Sequence, residues 1–191
     1  MTGSPQANDS PAVTAEIVVP GVRQMRLLGT RLARLLRAGD LVVLAGSLGA
    51  GKTMLVQGIG AGLEVRGPVT SPTFVIARLH PSLRGGPDLV HADAYRLGSR
   101  LEVDDLDLDA DLDHSVTVVE WGEGLVENLA TGHLRLTIDR PAPAPAPEPD
   151  PGAGPTDSGE DQVRYVTVAG YGARWLEAAD ELTATVAEPL G

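Results

Sequence analysis

The alternation of apolar and polar residues divides the chain into short strands and amphipathic helices. Leu41-Val42-Val43-Leu44 is a continuous apolar run, the pattern of a strand buried within a parallel sheet. Residues 15–19, closed by Pro20-Gly21, and the second half of residues 67–78 read as further strands, as do residues 89–93 and 116–120. Residues 133–139 alternate, and residues 163–169 alternate again. Met25, Leu27, Leu28, Leu32, Leu35 and Leu36 recur at helical spacing up to Ala38-Gly39. Met54, Leu55, Val56, Ile59 and Leu63 give a second helix ending around residues 60–62, and Trp175, Leu176, Ala179 and Leu182 a short final one. Alternating strands and helices place the chain in the α/β class, with a mixed, mostly parallel sheet. The last two strands are close enough to form a hairpin, an antiparallel edge on the parallel core.

Residues 141–161, built of alternating Pro and Ala and then Pro, Glu, Asp, Gly and Ser, offer nothing to pack. They read as a disordered insertion within the hairpin. Residues 1–14 read as a disordered leader, which leaves residues 15–191 as a single domain.

Composition narrows the function. No apolar run approaches the roughly 20 residues that cross a bilayer, and the polar N-terminus lacks the form of a secretory signal. Cysteine is absent, which excludes disulfides and thiolate metal sites and agrees with a cytoplasmic location. His80, His91, His114 and His133 are dispersed in sequence, which argues against zinc. The formal net charge of −11 argues against a protein that grips nucleic acid by itself. Arg23, Arg26, Arg31, Arg34 and Arg37 recur through the first helix and read as a solvated face.

The chemistry concentrates after the buried strand. Gly46-Ser47-Leu48-Gly49-Ala50-Gly51-Lys52-Thr53 fits G-x-x-x-x-G-K-[ST], the phosphate-binding P-loop, in its required order of strand, glycine-rich turn and helix. The glycines let the backbone wrap a phosphate, and free N–H groups at the helix start add donors and partial positive charge. Ser47, Leu48, Gly49, Ala50, Gly51 and Met54 would line the nucleotide, Lys52 would reach the β and γ phosphates, and the Thr53 hydroxyl would sit on Mg²⁺. Lys52 is the only lysine in the chain; every other basic side chain is arginine. A compact ammonium is kept where it differs in function from a planar guanidinium.

Two later strands end on carboxylates, Asp93 and Glu120. Ligands of open parallel sheets lie beyond the carboxyl ends of the strands, so both acids are candidates to orient Mg²⁺ or the attacking water. The hydroxyl-rich stretch Thr70-Ser71-Pro72-Thr73 stands where P-loop proteins carry a switch that responds to the γ-phosphate. The guanine-reading Asn-Lys-x-Asp is excluded because the sole lysine is in the P-loop, so ATP is preferred. The acidic stretch 102–113 reads as a solvated face over core leucines; it lacks the glycine and terminal glutamate of a calcium loop.

Leu48-Gly49-Ala50-Gly51-Lys52-Thr53, Thr70-Ser71-Pro72-Thr73-Phe74, Asp93-x-Tyr95-Arg96-Leu97 and Val119-Glu120-Trp121 occur in this order and spacing. In these the chain resembles the TsaE (YjeE) family of bacterial ATPases over about residues 15–140. The resemblance implies a P-loop NTPase fold with helices on both faces of a mixed sheet, weak Mg²⁺-dependent ATP hydrolysis and work alongside the TsaB and TsaD proteins. That machinery forms N6-threonylcarbamoyladenosine at tRNA position 37, and the tRNA is touched only through the partners. Residue by residue, it implies that Lys52 holds phosphates and that Thr53 and Glu120 manage Mg²⁺. It further implies that Asp93 serves hydrolysis, that Thr70, Ser71 and Thr73 belong to the switch, and that Trp121 lies near the nucleotide. The family often has Asp where Ser47 stands and a hydroxyl residue where Met54 stands, so this chain lacks an acid and a candidate α-phosphate contact there. The insertion also departs from the compact family pattern.

A small-molecule kinase on the same fold is the alternative, with Arg96 and Arg100 as lid arginines and Asp93 as base. A nucleotide-gated binding module in which hydrolysis is vestigial is a third reading. It would bind TsaB–TsaD equally well after Glu120→Ala and Asp93→Ala.

Overall fold

The structure is a computed structural model that describes residues 10–72, 76–97, 99, 102–103, 108, 111–141 and 162–191. The strands are β1 (Val13–Val19), β2 (Leu41–Gly46), β3 (Ala77–His80), β4 (Asp88–Asp93), β5 (Ser115–Glu120), β6 (His133–Asp139) and β7 (Arg164–Tyr171). They form one seven-stranded sheet in the order β1-β7-β6-β2-β5-β4-β3. The centre, β6-β2-β5-β4, is parallel, and antiparallel strands flank it, β7 and β1 on one side and β3 on the other. The expected hairpin is β6–β7, and β1 adds a further strand outside it.

One face carries α1 (Val22–Leu32), α2 (Lys52–Gly62), α3 (Ala173–Glu177) and α4 (Ala179–Ala187). Their apolar stripes bury Met25, Leu28, Leu55, Ile59, Trp175 and Leu182 against alternate residues of β2, β5, β6 and β7, such as Val42, Val118, Leu136 and Val168. The opposite residues, Leu41, Val43 and Val119, pack on the second face under Val103, Leu108 and Val126. Helical residues Glu102 and Val103 and the 3-10 turns Leu112–His114 and Glu127–Leu129 belong to that covering layer. A parallel strand buried on both faces needs apolar residues at every position, which is why β2 reads as a continuous run.

Four boundaries differ from the expected ones. The first strand begins at Val13, inside the stretch read as a disordered leader, because Val13 and Thr14 pair with Gly170 and Ala169 of β7. The strand in residues 67–78 begins only at Ala77, because Ile76 sits at φ 68° and its N–H closes a turn on the Pro72 carbonyl at 2.7 Å. The helix from Met25 ends at Leu32, where Arg34 and Leu35 bond three residues back in a tightened turn, although Leu35 and Leu36 remain buried. The final helix breaks at Ala178 (φ −94°, ψ 11°) into α3 and α4. The leader through residue 9, Thr73, Phe74, Arg100 and residues 142–161 of the proline-rich insertion lie outside the described residues.

Candidate active site at the P-loop

The P-loop joins the C-terminal end of β2 to the start of α2 in the middle of the sheet. Its chain reversal depends on Gly46 (φ 135°), Gly49 (φ 73°) and Gly51 (φ 111°). Gly51 precedes the first residue of α2, and no side chain caps that helix. The first N–H groups of α2 therefore have neither an intrahelical acceptor nor a capping oxygen, the condition for a backbone anion site. A Cβ at Gly46 would stand 2.4 Å from the Ile138 carbonyl oxygen, so only glycine fits beside β6.

The β-sheet register delivers the acids. β5 lies between β2 and β4, pairing Glu120 with Leu44 on one side and with Asp93 on the other. Both carboxylates thus emerge at the carboxyl edge of the sheet beside the loop. Thr53 Oγ1 lies 2.9 Å and 3.2 Å from the two carboxylate oxygens of Glu120 and donates to them. His91 Nε2 is 2.9 Å from Glu120 Oε1, and both side chains are buried. Asp93 Oδ1 accepts the Tyr95 N–H at 3.0 Å, and Oδ2 accepts the Ser71 hydroxyl at 3.2 Å.

Lys52 is buried, with Nζ donating to the carbonyls of Gly46 (2.8 Å) and Ser47 (3.1 Å). The ammonium also stands 3.7 Å over the Trp121 ring, within cation–π range. Burial lowers its pKa from the ordinary lysine value, against the opposing attraction of Glu120 and Asp93. Trp121 follows β5 at φ 61°, a left-handed position for a large side chain, and its ring meets Tyr95 at 5.1 Å. That turn swings the indole over the loop.

These residues line one cleft of about 610 Å³. Leu48, Gly49, Ala50, Gly51, Lys52, Thr53, Met54, Ser71, Asp93, Glu120 and Trp121 border it, with Val22, Arg26, Tyr95 and Arg164. Asp93 and Glu120 lie side by side in the register of β4 and β5, and a hydroxyl–carboxylate pair such as Thr53 and Glu120 is an oxygen donor set that suits a magnesium ion beside phosphates. A glycine cradle, an uncapped helix start and one ammonium suit a polyphosphate. Of the switch residues, Ser71 reaches the cleft through Asp93, while Thr70 Oγ1 accepts from Arg78 at 3.4 Å. Ser47 contributes its carbonyl to Lys52 and is not among the lining side chains.

Sequence reasoning passed over His91, Arg140 and Arg164. His91 stands two residues before Asp93 in the same strand, hence on the same side of the pleat, which is the one signal that could have picked it out. Arg164 Nε donates to the Ala50 carbonyl at 2.8 Å, and Arg140 Nη2 to the Leu48 carbonyl at 3.1 Å. Nothing in the sequence relates these arginines to a loop some ninety or more residues away.

Sheet, loop and helix together define a protein of the P-loop NTPase fold. The crystal structure of Bacillus subtilis YdiB matches it with a TM-score of 0.64 and 26% identity, over 90% of this chain and 95% of that one. The family model described as threonylcarbamoyl adenosine biosynthesis protein TsaE matches residues 19–144. The tRNA threonylcarbamoyladenosine biosynthesis protein TsaE of Streptomyces coelicolor is 61% identical over 155 residues, covering 81% of this chain and 95% of the relative. Its namesake from Mycobacterium tuberculosis is 51% identical over 129 residues, 64% of this chain and 77% of the relative. The chain belongs to the TsaE family, whose members serve the formation of threonylcarbamoyladenosine in tRNA.

Proposed function

We propose that the chain binds ATP with Mg²⁺ in this cleft and hydrolyses it slowly, as the ATPase that acts on a TsaB–TsaD complex during threonylcarbamoyladenosine synthesis. The observation that carries this reading is the convergence of Lys52, Thr53, Asp93 and Glu120 on one glycine-built loop. Lys52 would exchange its carbonyl partners for phosphate oxygens. Thr53 and Glu120 would hold the magnesium ion, which when bound supplies charge neutralisation at the β and γ phosphates. Asp93, already paired with the Ser71 hydroxyl, would orient a water and couple its position to the stretch around Ser71. Tyr95 and Trp121 would shield the reacting end from bulk water.

The acidic balance of the chain fits a component that leaves tRNA to its partners. No helix among the described residues is long and apolar enough to cross a membrane, and a cytoplasmic place of work belongs to the same proposal.

The test is phosphate release from ATP with purified TsaB–TsaD added or withheld, beside a Lys52→Ala control. Turnover that depends on the partners and vanishes in the variant is the expected result. Turnover indifferent to TsaB–TsaD but raised by a metabolite extract would replace this reading with the kinase.

A further inference from the structure

Arg140 and Arg164 stand at the same end of the β6–β7 hairpin, one on each strand, where the proline-rich insertion joins them. The register that pairs Asp139 with Tyr165 sets Arg140 opposite Arg164 one step further on. Like charges placed opposite one another on adjacent strands are destabilising. Here each guanidinium instead reaches the P-loop backbone, Arg140 at the Leu48 carbonyl and Arg164 at the Ala50 carbonyl. Arg164 is buried while doing so, and Arg140 is exposed. Burial and the neighbouring Arg140 charge both lower the Arg164 pKa from its ordinary value, as expected for two cations drawn to one place.

The geometry of the peptide unit gives this pairing a consequence. A trans peptide is planar, with its C=O and N–H pointing in opposite directions. Fixing the Leu48 carbonyl therefore fixes the N–H of Gly49, and fixing the Ala50 carbonyl fixes the N–H of Gly51. Both glycines have positive φ and no side chain to restrain them. Left alone, their peptide planes would be free to rotate. A Cβ at Gly51 would lie 3.4 Å from Arg164 Nε, so the arginine packs directly on the glycine it would restrain.

We propose that Arg140 and Arg164 are positioning residues for the P-loop: they clamp two alternate carbonyls so that the N–H groups of Gly49 and Gly51 are preset to receive a phosphate anion. The inference rests on the nucleotide-binding reading above and adds to it that the C-terminal hairpin, remote in sequence, is part of the phosphate site. The clamp acts on the ground-state loop and so affects affinity for any nucleotide with a β-phosphate.

ADP affinity by calorimetry, backbone ¹⁵N order parameters of Gly49 and Gly51 without nucleotide, and thermal melting test this in the full chain. Arg164→Gln and Arg140→Gln should each weaken ADP binding about tenfold, the scale of one charged hydrogen bond. Both glycine amides should become less ordered, and Arg→Lys at either position should restore part of each effect. Arg135→Gln, which removes a cation from the same hairpin away from the loop, should change neither. Because Arg164 is buried, Arg140→Gln decides the matter if Arg164→Gln melts early. Unchanged affinity or unchanged order in a folded Arg140→Gln variant would overturn the clamp; weaker binding with the amides as ordered as before would assign direct arginine–phosphate contact instead. A wild-type chain that bound no ADP at all would remove the nucleotide reading itself, a separate result.

Discussion

At the scale of single residues, Glu120 ties the cleft together. Its backbone carbonyl accepts the Ala94 N–H at 2.8 Å, and its carboxylate meets Thr53 and His91. Asp93 differs: it accepts the Tyr95 N–H and the Ser71 hydroxyl, and Thr53 is bonded to Glu120. Removing a negative charge from each should therefore have different outcomes. Asp93→Asn should reduce ATP turnover by about 10²–10⁴ while leaving ATP affinity within about threefold, the pattern of a group needed in the transition state alone. Glu120→Gln should in addition weaken the Mg²⁺ dependence of binding, because Thr53 loses a charged acceptor. Steady-state turnover and nucleotide titration at varied Mg²⁺ distinguish the two. A parallel loss of affinity in both variants would contradict this division. Lys52, Thr53, Asp93 and Glu120 were legible in the sequence because a loop pattern and two strand ends announce them. His91 and Arg164 were not, since each meets its partner only through the tertiary fold, His91 on the neighbouring strand and Arg164 on the P-loop.

At the scale of elements, the site depends on how closely α1 and α2 approach. A Cβ at Gly58 would lie 2.1 Å from the Arg26 carbonyl oxygen, and one at Gly29 would lie 2.3 Å from that of Leu55. The two helices touch through backbone. Alanine favours a helix over glycine by about 1 kcal/mol. Forcing a methyl against a fixed backbone oxygen costs about 1–3 kcal/mol or more, so the clash wins. Gly58→Ala should lower the melting temperature by about 2–8 °C in calorimetry, at about 2–4 °C per kcal/mol for a chain of this size. Gly86→Ala, with only the Ser82 hydroxyl at 3.6 Å, should leave it unchanged. Helix periodicity shows which residues face the core. It does not show that α1 must lie against α2, so nothing in the period singles out Gly29 or Gly58.

For the molecule as a whole, two histidines link stability to pH. His80 and His133 are buried, and burial is the main cause lowering both pKa values from 6.5. For His133 the nearby Glu127 opposes this and Arg135 adds to it; for His80 the Arg66 carbonyl opposes it. The unfolded chain then takes up these protons first as pH falls. The stabilisation is complete above pH 6.5 and is lost as pH falls through the folded-state values. The melting temperature should therefore drop between about pH 7.5 and pH 5.5, and His133→Phe should drop less over that interval. Phenylalanine keeps the stack on Tyr171, whose ring lies 4.5 Å from His133 at 13°. An identical fall in wild type and variant would exclude His133 as a source.

Local patterns determined much of this protein. The P-loop, the buried strand before it and the acids closing β4 and β5 are each written within a few residues, through period, glycine placement and strand-end chemistry. Tertiary structure alone decided what those pieces meet. The place of β1 beyond β7, the His91–Glu120 pair, the glycine contact of α1 with α2 and the arginines on the loop carbonyls all join residues distant in sequence. The physical reason is that backbone preference acts over a turn or two of chain. Register and close approach are instead set by which apolar faces must be buried together, and by which polar groups then need partners.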